Sequence, residues 1–160
     1  MLAVAGATCV LLLLVASLAA GRIAPQQGIM GIHLGMTGSE VVQKKGKPDA
    51  EHVIPSEILG HQRILRYGKT RVGLNGPKRS NTVAGVSTTD PGQRTRSGVG
   101  VGSRQRAVKN RIKGITCETS GGARICSKGN PEPGHRVTDF FISSSTPHRV
   151  TRVTVGFVID

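Results

Sequence analysis

One relation constrains the fold of this chain more than any other: its second half matches its first at a fixed offset of 67 positions. Gly31, Ile32, Leu34 and Gly35 stand against Gly98, Val99, Val101 and Gly102, and Val41 stands against Val108. The same offset holds far downstream, where Val83, Val86 and Ser87 meet Val150, Val153 and Thr154. Single matches between Val and Gly are cheap, but one offset kept at both ends of a unit is not. The expectation is a tandem duplication, with repeat 1 over residues 31–96, repeat 2 over 97–160, and residues 21–30 as an N-terminal linker. The two repeats together have the length of one structural domain.

Residues 1–20 contain no charged side chain and carry the apolar run Val10 to Ala16, followed by the small residues Ala19, Ala20 and Gly21. This reads as a signal peptide, with an uncleaved anchor as the alternative. No Cys directly follows Ala20 and Cys9 lies within the uncharged apolar segment, so a lipoprotein cleavage site is not expected. Once that segment is set aside, Cys117 and Cys126 are an even pair flanking Gly121 and Gly122, which lets a hairpin close. A disulfide is expected, in keeping with an oxidising compartment, either extracellular or in the cell envelope. A metal site would need more ligands, and only His135 lies within the next twenty residues.

Charge narrows the partners. The chain carries +13, spread evenly: residues 31–96 hold eleven Lys and Arg against five acids, and residues 97–160 hold ten against four. An even spread suits a soluble surface, and it also suits attraction to an anionic envelope component. Nucleic acid fits poorly, because Tyr67, Phe140, Phe141 and Phe157 are the only aromatic residues and no basic-aromatic interleaving occurs.

Each unit opens with the same local pattern. Ile32 to Met36 alternates as a short extended lead-in, and Thr37-Gly38-Ser39-Glu40 has the form of a capping box. A short helix follows with Val41 and Val42 inward, stopped by Gly46-Lys47-Pro48. In the second unit Arg104 to Lys113 forms a helix with Ala107, Val108 and Ile112 on one face and Arg106, Lys109 and Lys113 across from it. Strands come next: Arg63 to Tyr67, Thr70 to Leu74 and Thr82 to Thr88, then Arg124 to Ser127, Arg136 to Ile142 and Arg149 to Phe157. Alternation turns Ala84, Val86 and Thr88 inward together with Thr151, Val153, Val155 and Phe157, and turns Val150, Arg152 and Thr154 outward. Val72, Leu74, Phe140 and Ile142 join the helix side. The opposite face then shows Arg71, Asp139, Phe141 and Arg152, which are the candidate protein-binding residues. Gly92 to Gly98 is the expected linker between the repeats.

The segments Gly31-Ile32-His33-Leu34-Gly35-Met36-Thr37, Glu40-Val41-Val42 and Gly46-Lys47-Pro48 resemble the opening signature of the small outer-membrane assembly lipoproteins of the SmpA/OmlA or BamE type. The tandem layout is similar to that of the β-lactamase inhibitory protein (BLIP). The resemblance implies an α+β fold: two tandem repeats, each a short helix followed by antiparallel strands, sharing one antiparallel sheet with helices on one face. It also implies protein binding rather than catalysis. Two departures bear on the partner: the lipid-bearing Cys is absent, and the inhibitory protein's aromatic concave face has little counterpart in a chain with three Phe, one Tyr and no Trp.

Catalytic patterns are poor. The five histidines show no HxxxH or HExxH spacing, and no GxSxG elbow occurs. The run Gly98-Val99-Gly100-Val101-Gly102-Ser103 lacks the spacing and the Lys of a phosphate loop. No catalytic, cofactor or metal residue is therefore assigned. The reading is a non-catalytic exported binding protein of the bacterial cell envelope or exterior. Its partner would be another protein or an anionic envelope component, and only an uncleaved N-terminus would attach it to a membrane. The alternatives are a secreted inhibitor of a β-lactamase or protease, and a hydrolase whose site is assembled from distant residues such as His148 and Asp139.

Overall fold

The computed structural model describes residues 22–58 and 60–158, so the N-terminal segment read as a signal peptide or anchor lies outside the described residues. Strands dominate. Three of two residues each, β1 (Ile23–Ala24), β2 (Gly28–Ile29) and β3 (Ile32–His33), make a small antiparallel sheet. Eight more form one antiparallel sheet: β4 (Ala50–Ser56), β5 (Gly60–Tyr67), β6 (Thr70–Leu74), β7 (Val83–Thr88), β8 (Ile115–Ser120), β9 (Ala123–Gly129), β10 (Arg136–Ile142) and β11 (Val150–Phe157). Their spatial order is β4-β5-β6-β7-β11-β10-β9-β8, so the sheet is two meanders joined along β7 and β11. The helices are α1 (Gly38–Lys45) and α2 (Gln105–Arg111).

The expected α+β fold of two helix-plus-strand repeats is thereby corrected to a mostly β architecture. The reason is one of coverage. Helices of eight and seven residues are too short to be stable alone, and between them they bury little more than Gly38, Val41 and Val108. They cannot roof an eight-stranded sheet. The remaining cover comes from the expected N-terminal linker and from the lead-in of each unit: Ile23, Ile29 and Ile32 of the small sheet, with Val99, are all buried in the same apolar cluster as Val72, Val86, Phe140 and Val153. The segment around Gln93 and Thr95 is buried too, and Ile23 N donates to Arg94 O at 2.9 Å.

What recurs at the offset of 67 is a local hydrogen-bond pattern at the start of each helix. Gly35 N donates to Val83 O at 3.0 Å, and Gly102 N donates to Val150 O at 2.7 Å. Val83 N donates to Met36 O, as Val150 N does to Ser103 O. Gly35 and Gly102 have φ of 88° and 85°, a backbone region costly for any side chain. The caps themselves differ. Thr37 and Glu40 form the expected box, Glu40 N donating to Thr37 Oγ1 at 3.2 Å and Thr37 N to Glu40 Oε2 at 2.7 Å, whereas Arg104 offers α2 no side-chain cap.

The expected strand faces need one revision at two places. In the β6–β7 pair Gly73 meets Gly85 but Leu74 meets Val83, leaving Ala84 as an extra residue. In the β10–β11 pair Phe141 meets Arg152 but Ile142 meets Val150, leaving Thr151 extra. Each β-bulge shifts the alternation by one. Val83 and Val150 therefore turn into the core, 1% and 2% exposed, while Thr151 faces solvent. Val86 and Val153 are buried as expected. The cysteines are also as expected: Cys117 and Cys126 are direct partners on β8 and β9 and form a disulfide.

All four valines should be of similar worth. Truncating Val83, Val86, Val150 or Val153 to Ala should each cost roughly 1 to 3 kcal/mol in urea unfolding. Losses at Val83 and Val150 much smaller than at the other two would contradict the bulges.

Candidate functional site

The sheet has one face turned to the core and one turned away, and register assigns residues to the second. One rung runs Ala50, Arg66, Arg71, Ser87, Thr154, Asp139, Ser127 and Thr116 across all eight strands. Another sets Arg152 beside Phe141, Ile125 and Glu118. All four residues singled out from the sequence, Arg71, Asp139, Phe141 and Arg152, therefore lie on this outer face. The structure divides them. The Arg152 guanidinium lies 3.9 Å from the centre of the Phe141 ring, so the aromatic group is capped by a cation rather than bare. Asp139 accepts a hydrogen bond from Ser127 Oγ at 2.6 Å and lines a small hollow with Glu118 and Ile125. Arg71 and Arg152 line a different concavity of about 360 Å³.

That concavity is strongly cationic. Arg66, Lys69, Arg71 and Arg152 surround it together with Ser87, Thr88 and Thr89, and no acid lines it. The turn at Gly68-Lys69 explains the juxtaposition. Tyr67 pairs with Thr70 across it, which forces Arg66 directly opposite Arg71. Like charges facing each other across a rung are unfavourable. Asp139 cannot relieve them, because three strand spacings, roughly 14 Å, separate it from Arg71 along the rung. Two carboxylates near the turns are otherwise engaged. Asp49 accepts the Gly68 amide at 2.6 Å, and Asp90 accepts the Gly92 amide at 2.8 Å and Gln93 Nε2 at 3.2 Å. The Gly92 amide, foremost, holds the Asp90 carboxyl below its usual range.

A third acid of the sheet is placed differently from Glu118 and Asp139. Glu51 of β4 shares the core-side rung with Leu65, and its carboxylate takes both Arg63 and Arg79, with Arg79 Nε at 2.9 Å. The Arg79 hydrogen bond is the main reason the Glu51 carboxyl is lowered from 4.5 to about 2, and Arg63 assists it against the opposing effect of burial. Two arginines thus share one carboxylate on the core side, while Arg66, Arg71 and Arg152 form no ion pair among the described residues.

The two residues weighed for an assembled catalytic site do not meet. Asp139 faces outward, whereas His148 lies in the β10–β11 loop against Arg104 and Gln105 at the start of α2, its Nδ1 3.1 Å from Ser143 O. Sequence reasoning missed Arg66, Lys69, Ser87 and Thr89. The available signal was the Gly68-Lys69 turn, since counting outward from it pairs residue 66 with residue 71.

No protein-family model matches the chain, and no curated protein does. Among solved structures, the chain is similar to the crystal structure of the uncharacterized protein yfeY from Escherichia coli, with a TM-score of 0.52 at 11% identity, over 82% of this chain and 97% of that one. At this identity the likeness shows the fold alone.

Two outcomes follow from the charges. Arg71→Ser removes a like-charge opposition and should leave unfolding free energy unchanged or raised by about 0.2 to 1 kcal/mol in urea titration; a clear loss would show that Arg71 has a stabilising partner. Glu51 has a folded pKa below its unfolded value, so its stabilisation is complete above pH 4.5 and is lost as pH falls toward 2. Glu51→Gln should cost roughly 1 to 3 kcal/mol at pH 7 and flatten the acid limb of stability against pH. An unchanged acid limb would place its origin elsewhere.

Proposed function

We propose that the chain is a non-catalytic, exported binding protein of the cell envelope or exterior, and that it binds through the outer face of the eight-stranded sheet. The observation that carries this reading is the direct opposition of Arg66 and Arg71, joined at one concavity by Lys69 and Arg152 with no acid in its lining. Isolated exposed charges contribute little to stability, and opposed like charges subtract from it. A chain that places four cations around one hollow on an exposed sheet face carries a cost that a bound anionic group removes. Export is supported by the Cys117–Cys126 disulfide and by the apolar run in residues 10–16. The signature resembling the assembly lipoproteins, from Gly31 to Pro48, supports binding rather than chemistry.

The test uses the mature chain immobilised against cell-envelope extracts, with two double variants in parallel. Phe141→Ala with Arg152→Ala should lower retention of the bound component by about tenfold, by the usual measure for central contact residues. Lys109→Ala with Lys113→Ala, the first on the exposed side of α2 and the second just past its C-cap, should leave it unchanged. The reverse outcome would move the site from the sheet to the helix surface.

A further inference from the structure

The cationic hollow has an apolar neighbour. A second concavity of about 370 Å³ is lined by Ala50, His52, Ile54 and Ile64, and it shares Arg66 and Arg71 with the first. The two arginines are the wall between a polar compartment and an apolar one. The apolar side continues to the edge strand β4, where Ile54, on the same face as Ala50 and His52, is one of the large hydrophobic residues left exposed among the described residues. We infer that the joined cleft binds a single amphiphilic phosphate ester, with its phosphate among Arg66, Lys69, Arg71 and Arg152 and its aliphatic body over Ile54 and Ile64. This rests on the outer-face reading and gives it a ligand class.

The charge arithmetic selects phosphate. A carboxylate supplies one negative charge, whereas a phosphomonoester supplies roughly 1.5 to 2 at neutral pH with three acceptor oxygens. Guanidinium groups donate to phosphate in pairs, and three of the four cations are arginines. Ser87 and Thr89 add hydroxyl groups at the same wall. The apolar compartment selects an aliphatic body. It holds no Phe, Tyr or Trp on which a nucleobase could stack, and Tyr67 belongs to the rung of Thr70 and Thr88 on the core side. A single molecule fits better than a bilayer surface. The cations line a hollow instead of a continuous plane, and Glu118 and Asp139 at the far end of the same face would meet an anionic membrane laid across it.

Calorimetric titration of the mature chain with octyl phosphate below its micelle concentration tests this, with inorganic phosphate, octanoate and phosphatidic acid vesicles as comparisons. Octyl phosphate should bind at least about tenfold more tightly than inorganic phosphate or octanoate, because only it fills both compartments. Arg66→Gln with Arg71→Gln should weaken it by about tenfold or more, while a thermal scan confirms that the variant folds. Ile54→Ser should weaken octyl phosphate and leave inorganic phosphate unaffected. Octyl phosphate no tighter than its two halves, no effect of the arginine variant, or binding to vesicles without binding to the monomer would each overturn the assignment. If it fails while Phe141→Ala with Arg152→Ala still abolishes retention of an envelope component, the ligand class is wrong and the outer face stands. If both fail, the outer-face reading falls as well.

Discussion

The pairing of β7 with β11 is the interaction on which the rest of this structure depends. Its four rungs, Thr88 with Val153, Ser87 with Thr154, Val86 with Val155 and Gly85 with Gly156, join two meanders that are otherwise separate. The pair closes a loop of more than sixty residues, an entropic cost that local hydrogen bonds cannot offset. What offsets it is apolar burial. Val86, Val153 and Val155 are all within 1% of complete exclusion from solvent, and the same cluster gathers the small N-terminal sheet and both helices. The outward side of this seam carries only Gly85, Gly156, Ser87 and Thr154, so apolar packing holds the joined sheet from one face only.

That asymmetry sets where charge can go. On the core side ionic groups are tolerated only with partners, and Glu51 gathers two arginines on the edge strand β4 at the margin of the sheet. The outer side has no such requirement, and like-charged arginines face each other there across a rung. The chain thus satisfies its ionic groups where dehydration would penalise them and leaves them unsatisfied where water is available. Unbalanced charge on a rigid surface is a resource for recognition, because its position is fixed before any ligand arrives.

Much of the frame was legible in the residues. Thr37 and Glu40 announced the first helix, the Gly68-Lys69 turn announced the hairpin that pairs Arg66 with Arg71, and the hydrophobic alternation of 136–142 gave β10. The cysteine pair was legible too. Three things were not. The edge strands β4 and β8 contain Pro55 and the polar run Thr116 to Ser120, which resemble loop composition because one of their sides carries no ladder partner. The N-terminal sheet is built from pairs of residues too short to show a period. The bulges at Ala84 and Thr151 leave no mark in composition, so strict alternation assigned Val83 and Val150 to the wrong side. The candidate site was half visible: Arg71 and Arg152 belong to one hollow, Asp139 to another, and Phe141 is covered by Arg152.

The bulges also set how length variation can enter this chain. Each lies at the start of a central strand, immediately after the residue whose backbone anchors the lead-in of a helix. Removing one residue at 84 or 151 would restore perfect alternation in that strand while pulling a core valine out of phase with its anchor to Gly35 or Gly102. The β6–β7 connection is tied in as well, since Gly38 N and Ser39 N donate to Asn81 O and Arg79 O and Arg79 pairs with Glu51, whereas the exposed residues 144–147 of the β10–β11 connection can grow or shrink without touching that phase. In related chains, insertions and deletions should therefore collect there and spare the first two residues of each central strand, even where the residue types have changed completely.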